Sequence, residues 1–325
     1  MASGPFGTKD MSIGNENTVI LCPGQGAQHV GMGKVWAESE PAAAQTFDRA
    51  DDVLGLRLSD LCFRGPEGRV HRTDIAQAAI YVTSVACVRA LEARGVLDLA
   101  KLSAAAGLSL GEYTALHLAG VLSFEDGLRL VAQRGRFMQE AAEASDSGMV
   151  ALIGASEEQA NALCETARGD GVLVPANFNC PGQIVISGSS DACGRALTQA
   201  EKMGLRATSL TVAGAFHSPL MQPAADRMRE ALEKIAFKPP AVAVLSNVTG
   251  GPHGSDVAEI KRLLVRQITE PVRWEQNVRW LIANVKGRYI EPAPGKVLSG
   301  LMRRIDRAVK IENFAEPDLT VKGER

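Results

Sequence analysis

The segment LSAAAGLSLGEYTAL, residues 102–116, constrains the fold of this chain more than any other. A run of small residues leads into a G-x-S-x-G motif, and a helical pattern follows at once. Gly107 and Gly111 flank Ser109 at the positions where a very tight turn from strand to helix leaves no room for a side chain. The segment therefore predicts a strand, a sharp turn and a helix, with Ser109 at the turn as a candidate nucleophile; we call this turn the elbow.

A second interpretation of Ser109 requires no chemistry. Ser109 and Glu112 have the spacing of a capping box, in which the serine hydroxyl accepts from the N–H of residue 112 and the glutamate accepts from the N–H of the serine. That interpretation explains the serine and the glutamate but neither glycine. Because the chain has 32 glycines, one such motif arises readily by chance, and the motif alone leaves both interpretations open.

Length, composition and charge narrow the class of protein. A chain of 325 residues with 46% hydrophobic content suffices for a large core and two domains. Its 35 basic and 37 acidic residues are close to balance, which argues against a nucleic-acid partner. No apolar run approaches the roughly 20 residues of a membrane span. The six cysteines form no C-x-x-C pair and no zinc-like spacing with histidine.

These features predict a soluble protein of a reducing, intracellular compartment, with no metal site and no membrane partner. Residues 1–15 lack the apolar core of a secretory signal and are expected, like residues 316–325, to be a flexible tail. The N-terminal tail also fits the stub of a cleaved targeting peptide. The expected locations are therefore the bacterial cytoplasm or an organelle, namely the plastid stroma or the mitochondrial matrix.

The order of predicted elements changes near residue 148. From there to residue 213 the patterns predict a strand, a helix, two strands around a turn at 180–182, a second helix and a last strand. That β-α-β-β-α-β order is the ferredoxin-like split βαβ unit. We predict a small ferredoxin-like subdomain at 148–213, inserted in a larger α/β domain formed by residues 16–147 and 214–315.

A glycine-rich loop, PGQGAQHVGMG, follows the first predicted strand, TVILCP, and precedes a helix predicted over 34–53. The loop lacks the G-x-G-x-x-G spacing of a dinucleotide site, because His29 occupies the third glycine position. It also lacks the G-K-[ST] of a phosphate-binding loop. A loop that directs backbone N–H groups into a site fits the sequence better.

Arg134 is the most informative single residue. The helix predicted over 125–144 has an apolar stripe from Leu130 to Ala141, and Arg134 occupies its centre, where a leucine would be expected. A buried guanidinium needs an anion, because an unpaired buried charge is costly. That anion is either an internal Asp or Glu, or a ligand carboxylate held through two parallel hydrogen bonds.

A serine nucleophile needs a general base within hydrogen-bond reach. Of the five histidines, His117 lies two turns along the helix after the elbow and points away, His71 lies in a polar surface segment, and His253 lies in what reads as a flexible loop. His29, at the end of the glycine-rich loop, stays a candidate. His217 is the best candidate, because it follows the last strand of the insert, where the chain re-enters the larger domain.

Seven motifs then occur in one order along the chain: PGQGAQ (23–28), GLSLGEY (107–113), LVAQRGRFMQEA (130–141), ANFNCPGQIVISG (176–188), GAFHSPLM (214–221), QITEPVRW (267–274) and PGKVLSGL (294–301). With them, from Thr18 to Ile311, the chain closely resembles the malonyl-CoA:acyl-carrier-protein transacylases of dissociated fatty acid synthesis. The resemblance implies a hydrolase-like parallel-sheet α/β core, with the ferredoxin-like insert as the second wall of the cleft.

The resemblance also implies catalytic roles. Ser109 matches the acylated nucleophile and His217 the general base. Gln25 and Leu110 match the backbone N–H donors of the oxyanion hole. Gln267 matches the residue whose main-chain carbonyl orients the histidine. The implied reaction is a ping-pong transfer through a malonyl-serine intermediate.

The same resemblance addresses substrate and partners. Arg134 matches the arginine that holds the malonyl carboxylate. Malonyl-CoA is the implied substrate, an acidic acyl carrier protein the implied partner, no cofactor is tightly bound, and a monomer is expected. Leu108 and Ala293 depart from the family pattern, which often has histidine and glycine there, and we expect little effect on the chemistry.

Three other functions remain open. A serine hydrolase or thioesterase would use the same elbow but requires an acid partner for the histidine. An acyltransferase for a branched donor such as methylmalonyl-CoA is disfavoured by Phe216, which resembles the malonyl-selective form. A catalytically silent scaffold would bind the carrier protein, yet it has no need of Ser109, His217 and Arg134 together.

Overall fold

The structure, a computed structural model, describes residues 17–318; the predicted tail at 1–15 and most of that at 316–325 lie outside the described residues. Within them nine strands form: β1 Thr18–Cys22, β2 Leu102–Gly107, β3 Ser147–Ile153, β4 Leu173–Cys180, β5 Gln183–Ser189, β6 Arg206–Ser209, β7 Ala243–Val244, β8 Arg288–Pro292 and β9 Ile311–Phe314.

Thirteen helices of four or more residues accompany these strands within residues 17–318. They are α1 Lys34–Ser39, α2 Pro41–Leu54, α3 Leu58–Arg64, α4 Glu67–Val70, α5 Thr73–Ala93, α6 Gly111–Leu118, α7 Phe124–Glu143, α8 Glu157–Ala167, α9 Ser190–Lys202, α10 Gln222–Glu233, α11 Val257–Arg266, α12 Trp274–Asn284 and α13 Val297–Ile305. Local sequence explains several starts: Ser123 caps α7, and Ser156 with Gln159 forms a capping box at α8.

The larger sheet is parallel throughout and has the strand order β7-β2-β1-β8-β9. All five residues of β1 and five of the six in β2 are buried. Such continuous apolar strands are typical of a parallel sheet covered on both faces. β2 is an interior strand between β1 and β7, and Ser109 follows its carboxyl end. The predicted parallel α/β core is confirmed.

The smaller sheet is antiparallel and has the order β4-β5-β3-β6. With α8 and α9 it follows the predicted β-α-β-β-α-β order, which confirms the ferredoxin-like unit. It has a hydrophobic core of its own, and it meets the rest of the chain where Asn177 pairs with Val272. The proposed domain boundaries at 148–213 stay a prediction.

Two expectations about helices were wrong. The helix predicted over 34–53 is two helices, because the backbone at Glu40 is extended (φ −134°) and Pro41 starts a new helix. The expectation that no apolar run approaches a membrane span fails for α5. Its 21 residues are long and apolar enough to cross a membrane, judged by length and composition alone. However, 89% of its most apolar window is buried inside the protein, so α5 is a core helix.

Candidate active site

Ser109 lies in a turn between β2 and α6, with its backbone in the left-handed region at φ 52°. The flanking glycines are required by close backbone approach. A Cβ on Gly107 would lie 1.8 Å from the Gly111 carbonyl carbon, and a Cβ on Gly111 would lie 2.1 Å from the carbonyl oxygen of Cys22. The predicted strand, sharp turn and helix are therefore confirmed, and the serine occupies a strained position that the surrounding backbone enforces.

The capping-box interpretation of Ser109 is wrong. Helix α6 begins at Gly111, and no side chain caps its first turn. The Ser109 N–H donates to Asn247 Oδ1 at 2.6 Å, and the hydroxyl contacts His217 and Arg134. The Glu112 carboxylate does not reach back to the serine N–H, because three other donors occupy it.

His217 is the histidine that the fold brings to Ser109. Its Nε2 lies 2.9 Å from Ser109 Oγ, and its Nδ1 lies 2.7 Å from the backbone oxygen of Gln267. Because a carbonyl oxygen only accepts, Nδ1 carries the proton and Nε2 is the acceptor for the serine O–H. Burial, and then the positive charge of Arg134, lower the pKa of His217 from 6.5 to about 4, so the imidazole is neutral near pH 7.

Arg134 lies on the buried face of α7 and is 1% exposed, as predicted. Its Nη1 donates to Gln77 Oε1 at 2.7 Å, and its Nη2 donates to Ser109 Oγ at 3.0 Å and to Gln267 Oε1 at 2.9 Å. These acceptors are all uncharged, and within residues 17–318 the Nε has no partner. Burial lowers the pKa of Arg134. Of the two predicted anions, an internal carboxylate is not among these hydrogen-bond partners, and the ligand carboxylate stays a prediction.

Gln25 and Leu110, the two predicted oxyanion-hole residues, lie in the loop after β1 and directly after Ser109, respectively. Gln25 borders the cleft in the loop after β1, and its side chain donates to Thr73 Oγ1 at 3.2 Å. Leu110 follows Ser109 and directly precedes α6. In the part of the chain that the structure describes, neither backbone N–H donates to an acceptor. The Leu110 N–H is one of the donors that a helix start leaves without an intrahelical partner, and the roles of Leu110 and Gln25 in an oxyanion hole stay predictions.

A cleft of about 850 Å³ opens onto Ser109 and His217. One wall includes Gln25 and Met138, and residues of the smaller sheet such as Asn177 and Val185 contribute the other. Leu108 and Phe216 also line it. This volume lies in the range of about 300–1,000 Å³ that is typical of small-molecule sites.

Among the described residues, none of the other four histidines hydrogen-bonds to Ser109, and one was misjudged. His71 is exposed at the surface, as predicted, and His117 contacts the Leu122 carbonyl. The expectation that His253 lies in a flexible loop is wrong: its side chain is fully buried and its Nε2 lies 2.7 Å from the Glu112 carboxylate. Local sequence shows glycine, proline and polar neighbours there and gives no sign of the contact, because the glutamate is 141 residues away along the chain.

Sequence reasoning also missed two side chains that hold the site. Asn247 accepts from the Ser109 N–H and donates to the Gly107 carbonyl at 2.8 Å, so it ties both ends of the sharp turn together. Gln77, on α5, supports the Arg134 guanidinium. Neither residue stands in a motif that signals such a contact.

The side chains that commonly bind metals are scattered. Across residues 17–318, no group of three or more His, Cys, Asp or Glu side chains is arranged to hold a metal ion. The six cysteines are buried and unpaired, and burial raises the pKa of each thiol. They fit the inert role expected of them.

Comparison with known proteins decides the family. The acyl transferase domain model matches residues 19–314. The chain is 41% identical over 301 residues to the malonyl CoA-acyl carrier protein transacylase of Bacillus subtilis, which covers 92% of this chain and 93% of the relative. The chain belongs to this transacylase family. It is an acyltransferase, and the predicted resemblance is confirmed. The mitochondrial malonyl-CoA-acyl carrier protein transacylase of Mus musculus is 35% identical, over 93% of this chain and 84% of its own.

Solved structures agree with this family and with the fold. The malonyl CoA-acyl carrier protein transacylase of Clostridium perfringens superposes with a TM-score of 0.87 at 38% identity, over 93% of this chain and 94% of its own. The acyl-carrier-protein S-malonyltransferase of Bartonella henselae superposes with a TM-score of 0.88 at 40% identity, over 92% of this chain and 96% of its own. A malonyl-transacylase in complex with its type II polyketide acyl-carrier protein superposes with a TM-score of 0.88 at 37% identity, over 93% of this chain and 96% of its own.

Proposed function

We propose that this acyltransferase moves the malonyl group of malonyl-CoA onto the phosphopantetheine thiol of an acyl carrier protein, through a malonyl ester on Ser109. The observation that supports it most is the position of Arg134, whose Nη2 lies 3.0 Å from Ser109 Oγ and whose acceptors are all uncharged. A carboxylate one methylene beyond the reacting carbonyl would supply the anion that this guanidinium lacks.

In the first half-reaction His217 Nε2 takes the proton of Ser109 as Oγ attacks the thioester carbonyl. The N–H groups of Gln25 and Leu110 hold the resulting oxyanion, and such a donor typically contributes about 3–4 kcal/mol. The Gln267 carbonyl supports the imidazolium through Nδ1–H. When the intermediate collapses, the C–S bond breaks, the imidazolium gives its proton to sulfur, and CoA leaves as a thiol.

The second half-reaction reverses these proton transfers with a new thiol. The carrier protein's thiol enters the cleft, His217 takes its proton, and the sulfur attacks the ester carbonyl. Ser109 leaves with the proton returned by the imidazolium. The related transacylase that was solved with its acyl-carrier protein supports a carrier protein as the acceptor here. Fatty acid synthesis is the pathway that we propose for the product.

The partner of His217 supports transfer over hydrolysis. Its Nδ1 donates to a backbone carbonyl, whereas a Ser-His-Asp hydrolase uses a buried carboxylate at this position. A carbonyl gives a weaker base, which disfavours activation of water. The side chains of Ser109, His217 and Arg134 converge within hydrogen-bond distance, and a silent scaffold would not require this. We expect a monomer, and relatives from bacteria and mouse mitochondria support the bacterial cytoplasm or an organelle as the location.

Initial-rate kinetics test the proposal. With malonyl-CoA and holo carrier protein varied together, double-reciprocal plots should give parallel lines, and Ser109→Ala should abolish transfer. Intersecting lines would contradict a covalent intermediate. Steady CoA release without carrier protein would instead support the thioesterase alternative.

A further inference from the structure

A buried polar cluster lies next to the elbow but does not line the cleft. We define the Glu112 cluster as Glu112, Asn247, His253 and Gln267, all less than a tenth exposed. Both oxygens of the Glu112 carboxylate are used. Oε1 accepts from His253 Nε2 at 2.7 Å, and Oε2 accepts from Gln267 Nε2 at 2.7 Å and from the Asn247 N–H at 3.0 Å.

Gln267 connects this cluster to the groups that face the substrate. Its side-chain Nε2 donates to Glu112 and to the Ser109 carbonyl at 2.9 Å, and its Oε1 accepts from Arg134 Nη2 at 2.9 Å. Its backbone oxygen accepts from His217 Nδ1. One residue therefore contacts the nucleophile's backbone, the histidine and the arginine.

The side-chain amide of Gln267 has two possible orientations, and only one satisfies its neighbours. An ionised carboxylate only accepts, so Glu112 requires the NH2 group on its side. The carbonyl oxygen then faces Arg134, which only donates. A rotation of the amide by 180° would place two acceptors together at Glu112 and two donors together at Arg134, at buried positions where such contacts are costly. The Glu112 carboxylate therefore determines that the Gln267 side-chain oxygen, and not its NH2 group, faces Arg134.

His253 holds the carboxylate in that position. Its only side-chain hydrogen bond among the described residues is the one to Glu112, and its Nδ1 has no partner there. The imidazole Nε2–H at one oxygen and the Asn247 N–H at the other fix the carboxylate plane toward Gln267. Without the imidazole, a buried carboxylate oxygen would lose its charge-assisted hydrogen bond.

We propose that Glu112 and His253 are positioning residues that set the side-chain orientation of Gln267 and, through it, the preference of Arg134 for a malonyl donor. The inference rests on the proposed function, because it assigns the source of that function's selectivity. It predicts that substitutions at His253 lower the rate of acylation by a malonyl donor far more than the rate with an acetyl donor, which makes no contact with Arg134.

The test compares acylation rate constants for malonyl-CoA and acetyl-CoA in one preparation of each variant. Their ratio does not depend on the folded fraction, so partial unfolding does not obscure the result. We expect His253→Leu to lower the malonyl-to-acetyl ratio about tenfold, the effect of one weakened hydrogen bond to a charged group. His253→Gln, whose side-chain N–H2 can again donate to Glu112, should restore the ratio to within about twofold of the wild type.

His117→Leu is the matched control, because it removes another histidine hydrogen bond near α6 without touching the Glu112 cluster. Its ratio should equal that of the wild type. A wild-type ratio in His253→Leu, or a ratio in His253→Gln as low as in His253→Leu, would overturn the inference while leaving the proposed function intact. Absence of malonyl transfer in the wild type would overturn the proposed function itself.

Discussion

Replacement of Arg134 tests the substrate assignment in the most quantitative way. In Arg134→Ala the guanidinium that faces Ser109 Oγ at 3.0 Å is gone, and the acceptors Gln77 and Gln267 remain. A malonyl carboxylate then has no guanidinium beside Ser109, whereas an acetyl group has no carboxylate to bind one. The variant should lose activity with malonyl-CoA selectively and gain relative preference for acetyl-CoA.

The size of the effect follows from the hydrogen bonds that the substitution removes. A hydrogen bond to a charged group is worth about 1.5–3 kcal/mol, and a carboxylate held by a guanidinium uses two. Their removal, about 3–6 kcal/mol, corresponds to a fall of about 10²–10⁴ in the malonyl-to-acetyl ratio of acylation rate constants. The hydrogen bond from Arg134 to Ser109 is removed for both donors alike, so its effect cancels in that ratio.

Rapid-quench measurement of Ser109 acylation by each CoA ester gives the ratio directly. Arg134→Lys is the comparison variant, because it keeps the charge but not the planar fork, and we expect an intermediate ratio. The charge of Arg134 is also one cause of the lowered pKa of His217, so Arg134→Ala should move the acid limb of the pH profile upward. A malonyl-to-acetyl ratio within about threefold of the wild type would refute the assigned role.

Three further predictions concern stability, each measured by urea denaturation. The pKa of His217 falls from 6.5 to about 4 on folding, so below pH 6.5 the unfolded chain binds a proton that the folded protein does not. The free energy of unfolding should therefore drop by about 3 kcal/mol between pH 6.5 and 4, and His217→Gln should remove that drop; an unchanged pH dependence would count against the burial argument. Asn247→Ala leaves the Ser109 N–H and the Gly107 carbonyl without their partner and should lower the free energy of unfolding by about 2–3 kcal/mol. A decrease below about 0.5 kcal/mol would contradict the role of Asn247. Gly111→Ala should prevent stable folding, because its Cβ would lie 2.1 Å from a backbone oxygen, whereas Gly194→Ala, in the open on α9, should be neutral or stabilise by up to about 1 kcal/mol; equal stabilities would refute the steric reasoning.

Sequence reasoning succeeded where one local pattern admits one physical solution. The glycines at 107 and 111 require a sharp turn, and the structure shows backbone atoms about 2 Å from where their side chains would begin. Arg134 in an apolar stripe was predicted to be buried, and it is, although its protein partners do not include the predicted anion. The break before Pro41 was missed although its signal is local: a proline inside a helical pattern favours the end of one helix and the start of another.

Long-range contacts explain what the sequence did not reveal. Glu112 seemed to be a helix cap from its spacing to Ser109, but its carboxylate instead meets His253, 141 residues away, and Gln267, 155 residues away. Asn247 meets Ser109 across 138 residues. No local pattern identifies such pairs, because the tertiary structure creates them and overrides the local capping preference.

The central claim is that Ser109 carries the malonyl group between two thiols. Intact-protein mass spectrometry after brief mixing with malonyl-CoA, and separately with acetyl-CoA, tests it without any carrier protein. We expect one malonyl adduct on the peptide that contains Ser109, no acetyl adduct within the same brief mixing time because acetyl-CoA acylates Ser109 far more slowly, and discharge of the malonyl adduct when holo carrier protein is added. Steady release of CoA with no adduct, or an adduct that carrier protein leaves in place, would contradict the account.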